Sequence, residues 1–181
     1  MVALVRNIIP FVLLLSLMTS CGDGTSLQAY FVDHQEQPGF LSMDVPKSIL
    51  NIDESALNPD EQEAYKSIDR LNMLAYRIDE QNMDLFNAEL NKVKAILDAE
   101  QYEELLRGGN IEDGKFVIKY LGEDNAVKEF VMFGHADDKG FAVVRVLGKN
   151  MSADKMMNLS QIMSKSNMEE DAFKDLINFF N

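Results

Sequence analysis

The 181-residue chain contains one cysteine, Cys21, no tryptophan, two histidines and four prolines. A single thiol excludes an internal disulfide framework and a cysteine-based metal site. Two imidazoles, His34 and His135, leave little material for a His-rich metal centre or a His-driven charge relay. Basic residues are scarce as well: 17 Lys and Arg stand against 30 Asp and Glu, for a net charge of −13. That balance gives no footprint for nucleic acid or for an anionic bilayer surface, and it suits a basic partner or a divalent cation better. No apolar run approaches the roughly twenty residues of a membrane span, so no transmembrane helix is expected. Sustained repeats and low-complexity tracts are missing too, which leaves a globular composition.

What is present first is an address. Arg6 supplies a positive n-region, Ile8 to Met18 form a short apolar segment, and Leu17-Met18-Thr19-Ser20 run directly into Cys21. This arrangement resembles a lipobox with cleavage before Cys21, so residues 1–20 are expected to be a lipoprotein signal peptide. The resemblance implies a diacylglycerol on the Cys21 thiol and a third acyl chain on the new amino group. Several chains hold a protein at a membrane where one, at about 0.8 kcal/mol per buried methylene, does so only marginally. Sorting is read from Gly22-Asp23-Gly24-Thr25, whose single Asp is thin for a surface-export signal. The expected location is therefore the periplasmic face of the outer membrane, with surface display as the second choice. Loss of residues 1–20, whose only charge is Arg6, leaves 161 residues at a net −14, a size suited to one domain. Residues 21–26 read as a tether of at most about 20 Å, at roughly 3.3 Å per residue, and 27–181 as a single domain.

Along that domain, Leu27, Tyr30 and Phe31 form the first apolar group, and Pro38-Gly39 marks a turn into a strand over Phe40 to Val45 that Pro46 stops. A short helix near Lys47 to Leu50 and an acidic loop follow. Asn58-Pro59-Asp60 then opens a helix running to Asp69. Leu71 to Ile78 fits either a continuation of that helix or a strand, and the strand is preferred. Asn82 caps a helix carrying Met83, Phe86, Leu90, Val93 and Leu97 at spacings of three and four. A second helical piece passes through Tyr102, Leu105 and Leu106 and ends at Gly108-Gly109. The period then becomes two: Lys115 to Leu121, Ala126 to Phe133 and Phe141 to Leu147 read as a three-stranded antiparallel meander. Ser152 caps a helix bearing Met156, Leu159 and Met163, and an amphipathic helix runs from about Glu169 to Phe180. The expected class is α+β, an antiparallel sheet with helices mainly on one face.

No catalytic, metal-binding or cofactor constellation rises above background, so no enzyme activity and no cofactor is expected. His135 beside Ala136-Asp137-Asp138 offers a ligand or a general base, against the plainer reading of a solvated turn. Ser152-Ala153-Asp154-Lys155 matches Ser-x-x-Lys, but the chain has no Ser-Asp-Asn or Lys-Thr-Gly partner motif, and Ser152 suits a helix N-cap. Asp137 to Gly140 and Asn110 to Gly114 lack the alternating carboxylates and distal Glu of a calcium loop. The methionines Met151, Met156, Met157, Met163 and Met168 offer thioethers to Cu(I), although core packing explains Met156 and Met163 better. Arg145, in an otherwise apolar strand, is the strongest single polar anomaly, with a solvent-facing or edge position as the simplest reading. With Arg145, the residues Phe173, Leu176 and Phe180 of the last helix make a speculative interaction surface, packing on the domain itself being the alternative.

Tyr30-Phe31-Val32-Asp33, Pro38-Gly39-Phe40, the three strands, and Val144 to Met151 leading into a Ser-capped helix together resemble a family of Bacteroidetes lipoproteins. That family is grouped as domain of unknown function 4252, and it implies no activity and no functional residues. Ser166 to Asn181 form a C-terminal extension that is long for such proteins. The combined expectation is a lipid-anchored envelope protein acting as a protein-binding or regulatory module, with an envelope protein as partner. An envelope hydrolase using His135 with Asp137 or Asp138, and a self-assembling structural lipoprotein, are the alternatives.

Overall fold

Alternating apolar residues build one antiparallel sheet of six strands, seen in a computed structural model that describes residues 26–50, 52–79, 82–110, 114–157 and Phe179. The described elements are α1 (Leu27–His34), β1 (Phe40–Pro46), 3-10 turns at Lys47–Leu50 and Glu54–Ala56, α2 (Pro59–Ser67), β2 (Ile68–Arg77), α3 (Met83–Leu97), β3 (Tyr102–Asn110), β4 (Gly114–Glu123), β5 (Ala126–Ala136), β6 (Gly140–Met151) and α4 (Ala153–Met157). The strand order is β1-β2-β6-β5-β4-β3, with every neighbouring pair antiparallel. The architecture is α+β.

Period-two patterning sends Val131 and Phe133 of β5, Val117 of β4, Phe141 and Val143 of β6 and Leu74 and Tyr76 of β2 to one face. There they meet Leu27, Tyr30 and Phe31 of α1 and the stripe Phe86, Leu90, Val93 and Leu97 of α3. Burying each large apolar side chain of that stripe contributes about 1.5–3 kcal/mol, which explains why α3 lies flat on the sheet. A smaller cluster joins Ile68, Tyr120, Val127, Phe130, Val146 and Met151, next to the ends where α2 and α4 enter and leave the sheet. The entry to α2 is secured by a capping box: Asn58 Oδ1 accepts from Glu61 N at 2.9 Å, and Glu61 Oε2 accepts from Asn58 N at 2.8 Å.

Three local expectations are corrected. Residues 102–109 form strand β3 rather than a helix. A bulge between Glu104 and Leu106 inserts Leu105 into the ladder with β4, so the spacing of three between Tyr102 and Leu105 imitates a helical period. The meander therefore has four strands, and Gly108-Gly109 is part of it. Gly109, at φ +97°, sits where a Cβ would come within 2.2 Å of the Gly114 carbonyl oxygen. The first apolar group forms helix α1, whose N-cap Ser26 accepts from Ala29 N at 3.1 Å. Asn82 does not cap α3 with its side chain, which instead accepts from Asp79 N and donates to the Arg77 carbonyl, closing the β2–α3 loop. Finally, α2 ends at Ser67 rather than Asp69, because strand β2 takes over at Ile68; the strand preferred from Leu71 onward is present within it. The C-terminal helix around Phe173, Leu176 and Phe180, with Leu159 and Met163, lies outside the described residues, as does Cys21. Phe179 is described: its carbonyl accepts from Arg77 Nη1 at 3.3 Å.

Arg145 is not at an edge or in solvent. It lies in β6, with strands on both sides, and is buried with Glu129 of β5. Glu129 Oε2 accepts from Arg145 Nε at 3.0 Å and Nη2 at 2.6 Å, and Glu129 Oε1 accepts from the Tyr102 hydroxyl at 3.0 Å. Arg145 Nη1 donates to Gln28 of α1 at 2.5 Å, and the guanidinium lies 5.2 Å from the Phe31 ring centroid. Removing one partner of a buried ion pair leaves the other charge desolvated, at a cost of about 3–5 kcal/mol, whereas replacing both can be neutral. Arg145→Met alone should therefore lower the urea midpoint strongly, and Glu129→Leu with Arg145→Met should recover most of the loss. Additive losses in that double-mutant cycle would show that the two side chains are not coupled.

Candidate functional site

The C-terminal end of α3 stops at Leu97 above the middle of the β3–β4–β5 ladder, and a cavity of about 590 Å³ opens there. Its floor follows from the β4–β5 register, which sets Lys115 opposite His135, Val117 opposite Phe133 and Lys119 opposite Val131. Alternation puts Lys115, Val117 and Lys119 on the same face. Lys94, Leu97 and Asp98 descend from the end of α3, and Arg107 with Gly108 and Gly109 closes the β3 side.

The charge of this lining opposes that of the chain. Acids outnumber bases 30 to 17 in the whole sequence, yet the cavity gathers four Lys and Arg and one of the two histidines against a single acid, Asp98. Two of the cations are already committed. Lys119 is buried and donates to the Leu97 carbonyl at 2.5 Å and to Asp98 at 3.2 Å, so it caps the C-terminus of α3. Arg107 is held by Glu104 through two bonds, Nε at 3.0 Å and Nη2 at 2.6 Å. Lys94 and Lys115 have no ion-pair partner among the described residues.

His135 completes the group. Its Nδ1 is buried without a hydrogen-bond partner and lies 3.7 Å from Asp137 Oδ1, too far for a hydrogen bond. Burial pushes the imidazole below the ordinary histidine range; Lys94 and Lys115 push the same way, and Asp137 opposes them. At neutral pH the ring is thus uncharged, a polar group held between ammonium groups.

A second concavity lies between α1 and α3, beside His34. The His34 ring stacks on Tyr30 at 4.0 Å; its Nδ1 is 2.7 Å from the Tyr30 carbonyl and its Nε2 3.2 Å from Glu89 Oε2. Glu89 also accepts from the Tyr30 hydroxyl at 2.9 Å and from Lys92 at 2.7 Å. Burial works to raise the Glu89 carboxyl, but the hydrogen bonds from Lys92 and Tyr30 prevail and hold it below its ordinary range. Every strong donor and acceptor here is used within the protein, so this cluster joins α1 to α3.

The other sequence candidates stay apart from the cavity. Ser152 caps α4 by accepting from Lys155 N at 3.3 Å, and Lys155 Nζ bonds Glu63 at 2.6 Å, so the Ser-x-x-Lys pair is spent on helix structure. Arg145 is in the core, and Asp137 and Asp138 are exposed. Among the described residues no three His, Cys, Asp or Glu side chains are grouped to hold a metal ion. The basic group itself was not read from the sequence. The available signal was the i, i+4 spacing of Lys115 and Lys119 on the His135 side of a strand.

An open antiparallel sheet with α1 and α3 on one face and a basic cavity at the end of α3 defines the class as an α+β domain. Residues 30–159 match the model of the family described as domain of unknown function (DUF4252), and the chain belongs to that family. The match spans every residue that lines the cavity. No curated protein and no solved structure matches the chain.

An NMR titration of His135 should give a midpoint below that of an exposed histidine. Lys94→Gln should raise it and Asp137→Asn should lower it further. Since the folded state favours the neutral ring, stability should fall as pH drops below about 6.5, the unfolded histidine value. An ordinary midpoint, insensitive to both substitutions, would mean that the ring is solvated and far from both charges.

Proposed function

We propose that this protein is a lipid-anchored binding module of the cell envelope, tethered through Cys21 and working by recognition of an anionic group. The observation that carries the binding half is the concentration of Lys94, Arg107, Lys115, Lys119 and His135 around one cavity in a strongly acidic chain. The anchoring half rests on Arg6, the apolar run Ile8 to Met18 and the position of Cys21. In this reading the chain is a Bacteroidetes-type lipoprotein on the periplasmic face of the outer membrane, with surface display as the alternative. The six residues from Cys21 to Ser26, ahead of α1 at Leu27, keep the domain within about 20 Å of the lipid, at roughly 3.3 Å per residue. Confinement to a surface raises effective concentration and strengthens modest contacts with an envelope partner. No helix among the described residues is long and apolar enough to cross a membrane.

The hydrolase reading has one observation in its favour, the approach of His135 to Asp137. Asp137 and Asp138 are exposed and do not line the cavity, so the carboxylates that reading would need are not gathered with His135 there, and recognition is the better account of the cations.

Cys21→Ala should move the protein from the membrane to the soluble fraction, abolish labelling by a fatty-acid analogue, and remove a crosslinked partner recovered from living cells. Unchanged membrane retention and labelling would overturn the anchoring half.

A further inference from the structure

We propose that the cavity takes an amphipathic organic anion, its carboxylate or phosphate head set between Lys94, Lys115 and His135 and its apolar body laid on Val117 and Phe133. The inference rests on the cavity being a recognition site and adds the chemistry of its occupant.

Three observations converge. The first is that the floor is divided along the strands: the Val117–Phe133 pair is apolar, and the next pair outward, Lys115–His135, is polar. A ligand lying along β4 and β5 meets hydrocarbon first and positive charge about 7 Å further on, two residues at roughly 3.3 Å each. The second is that the charges at the outer end are uncommitted. Lys94 and Lys115 have no ion-pair partner among the described residues, and the buried His135 Nδ1 has no hydrogen-bond partner. The inner cation Lys119 is consumed by Leu97 and Asp98. An anionic head is thus drawn to the outer end and an apolar body is left the inner one. The third is size: about 590 Å³ falls in the range of small-molecule sites, about 300–1,000 Å³.

Free inorganic phosphate would make no use of the apolar part of the lining, Leu97, Phe116, Val117 and Phe133, and a neutral lipid would leave the ammonium groups without a partner. An extended acidic polymer would have to run past the rest of a strongly acidic chain, of whose 30 Asp and Glu only Asp98 lines the cavity. A short amphiphile satisfies both halves of the floor without meeting that repulsion. Binding an anion beside His135 favours its protonated form, so affinity rises as pH falls and a proton is taken up on binding.

Calorimetry would use residues 25–181, which include every residue of both core clusters. The probes are decanoate and decyl phosphate, with decanol, decyltrimethylammonium, inorganic phosphate and hexaglutamate as comparisons. The alkyl anions should bind one per chain, and decanol and the alkyl cation should not. Lys94→Gln with Lys115→Gln should weaken binding about tenfold or more, as expected when two partly exposed charges facing the head group are removed, with the urea midpoint unchanged. Lys115→Arg should retain binding. Decanoate should bind more tightly at about pH 6 than at about pH 8, a range in which its own carboxylate stays ionised. Equal binding of alkyl anion and alkyl cation, or an unaffected double variant, would overturn the proposal as non-specific apolar contact. Binding of hexaglutamate without the alkyl anions would overturn it while sparing the recognition reading, the occupant then being an acidic protein segment. Failure of every anion would overturn both.

Discussion

One carboxylate, Glu129, collects a guanidinium and a phenol on the buried side of the sheet, and four elements are attached through it. Glu129 belongs to β5, Arg145 to β6 and Tyr102 to the start of β3, while Arg145 reaches Gln28 and Phe31 in α1. The cost of desolvating two charges is offset only if all these contacts are made together, so the pair selects one placement of α1. That placement passes to α3 through Tyr30 and His34, both of which meet Glu89. The end of α3 is then fixed from below by Lys119, whose ammonium group takes the Leu97 carbonyl. The cavity is the space that remains where α3 stops, so its position follows from a chain of polar contacts that begins at Glu129.

Much of this order is legible in the residues, for identifiable reasons. The strands β4, β5 and β6 show plain alternation between turn signals, and α3 shows a stripe whose Phe86, Leu90, Val93 and Leu97 are all buried. Helix α2 is announced by Asn58, Pro59 and Glu61. Strand β3 is hidden because its bulge breaks the period of two, and a break in period has no local marker. Helix α1 is hidden because it is two turns long, too short for a pattern to accumulate. Arg145 was visible as an anomaly, but its counter-ion lies sixteen residues away in another strand. Glu129 shares its parity with Val131 and Phe133, which placed a carboxylate on the apolar face of β5. Two polar residues on facing apolar stripes are a signal that only pairing the strands converts into a contact.

The basic cavity was illegible for a related reason. Lys94, Arg107, Lys115, Lys119 and His135 come from four elements, and overall composition argued against any site for an anion. Net charge is a sum, and a sum conceals a local reversal of sign. Charges separated by more than about 8–10 Å are largely screened at physiological salt, so a ligand inside the cavity responds to its lining, while a ligand still in solution responds to the whole acidic surface. The two scales act in opposite senses: the surface repels large polyanions, and the cavity holds a small anion that has already entered.

That opposition also bears on how the domain sits relative to its tether. Gln28, one residue inside α1, is bonded to Arg145, which pairs with Val131 in β5. His135 lies four residues further along the same strand, about 13 Å away at roughly 3.3 Å per residue. The cationic end of the cavity is thus set back from the point at which the tether reaches the fold. If Cys21 carries lipid, an amphiphile at the membrane surface would meet α1 first and the cations only after passing along the sheet face. The tether's reach of about 20 Å exceeds that separation, so the cavity stays open both to an amphiphile at the membrane surface and to one free in solution.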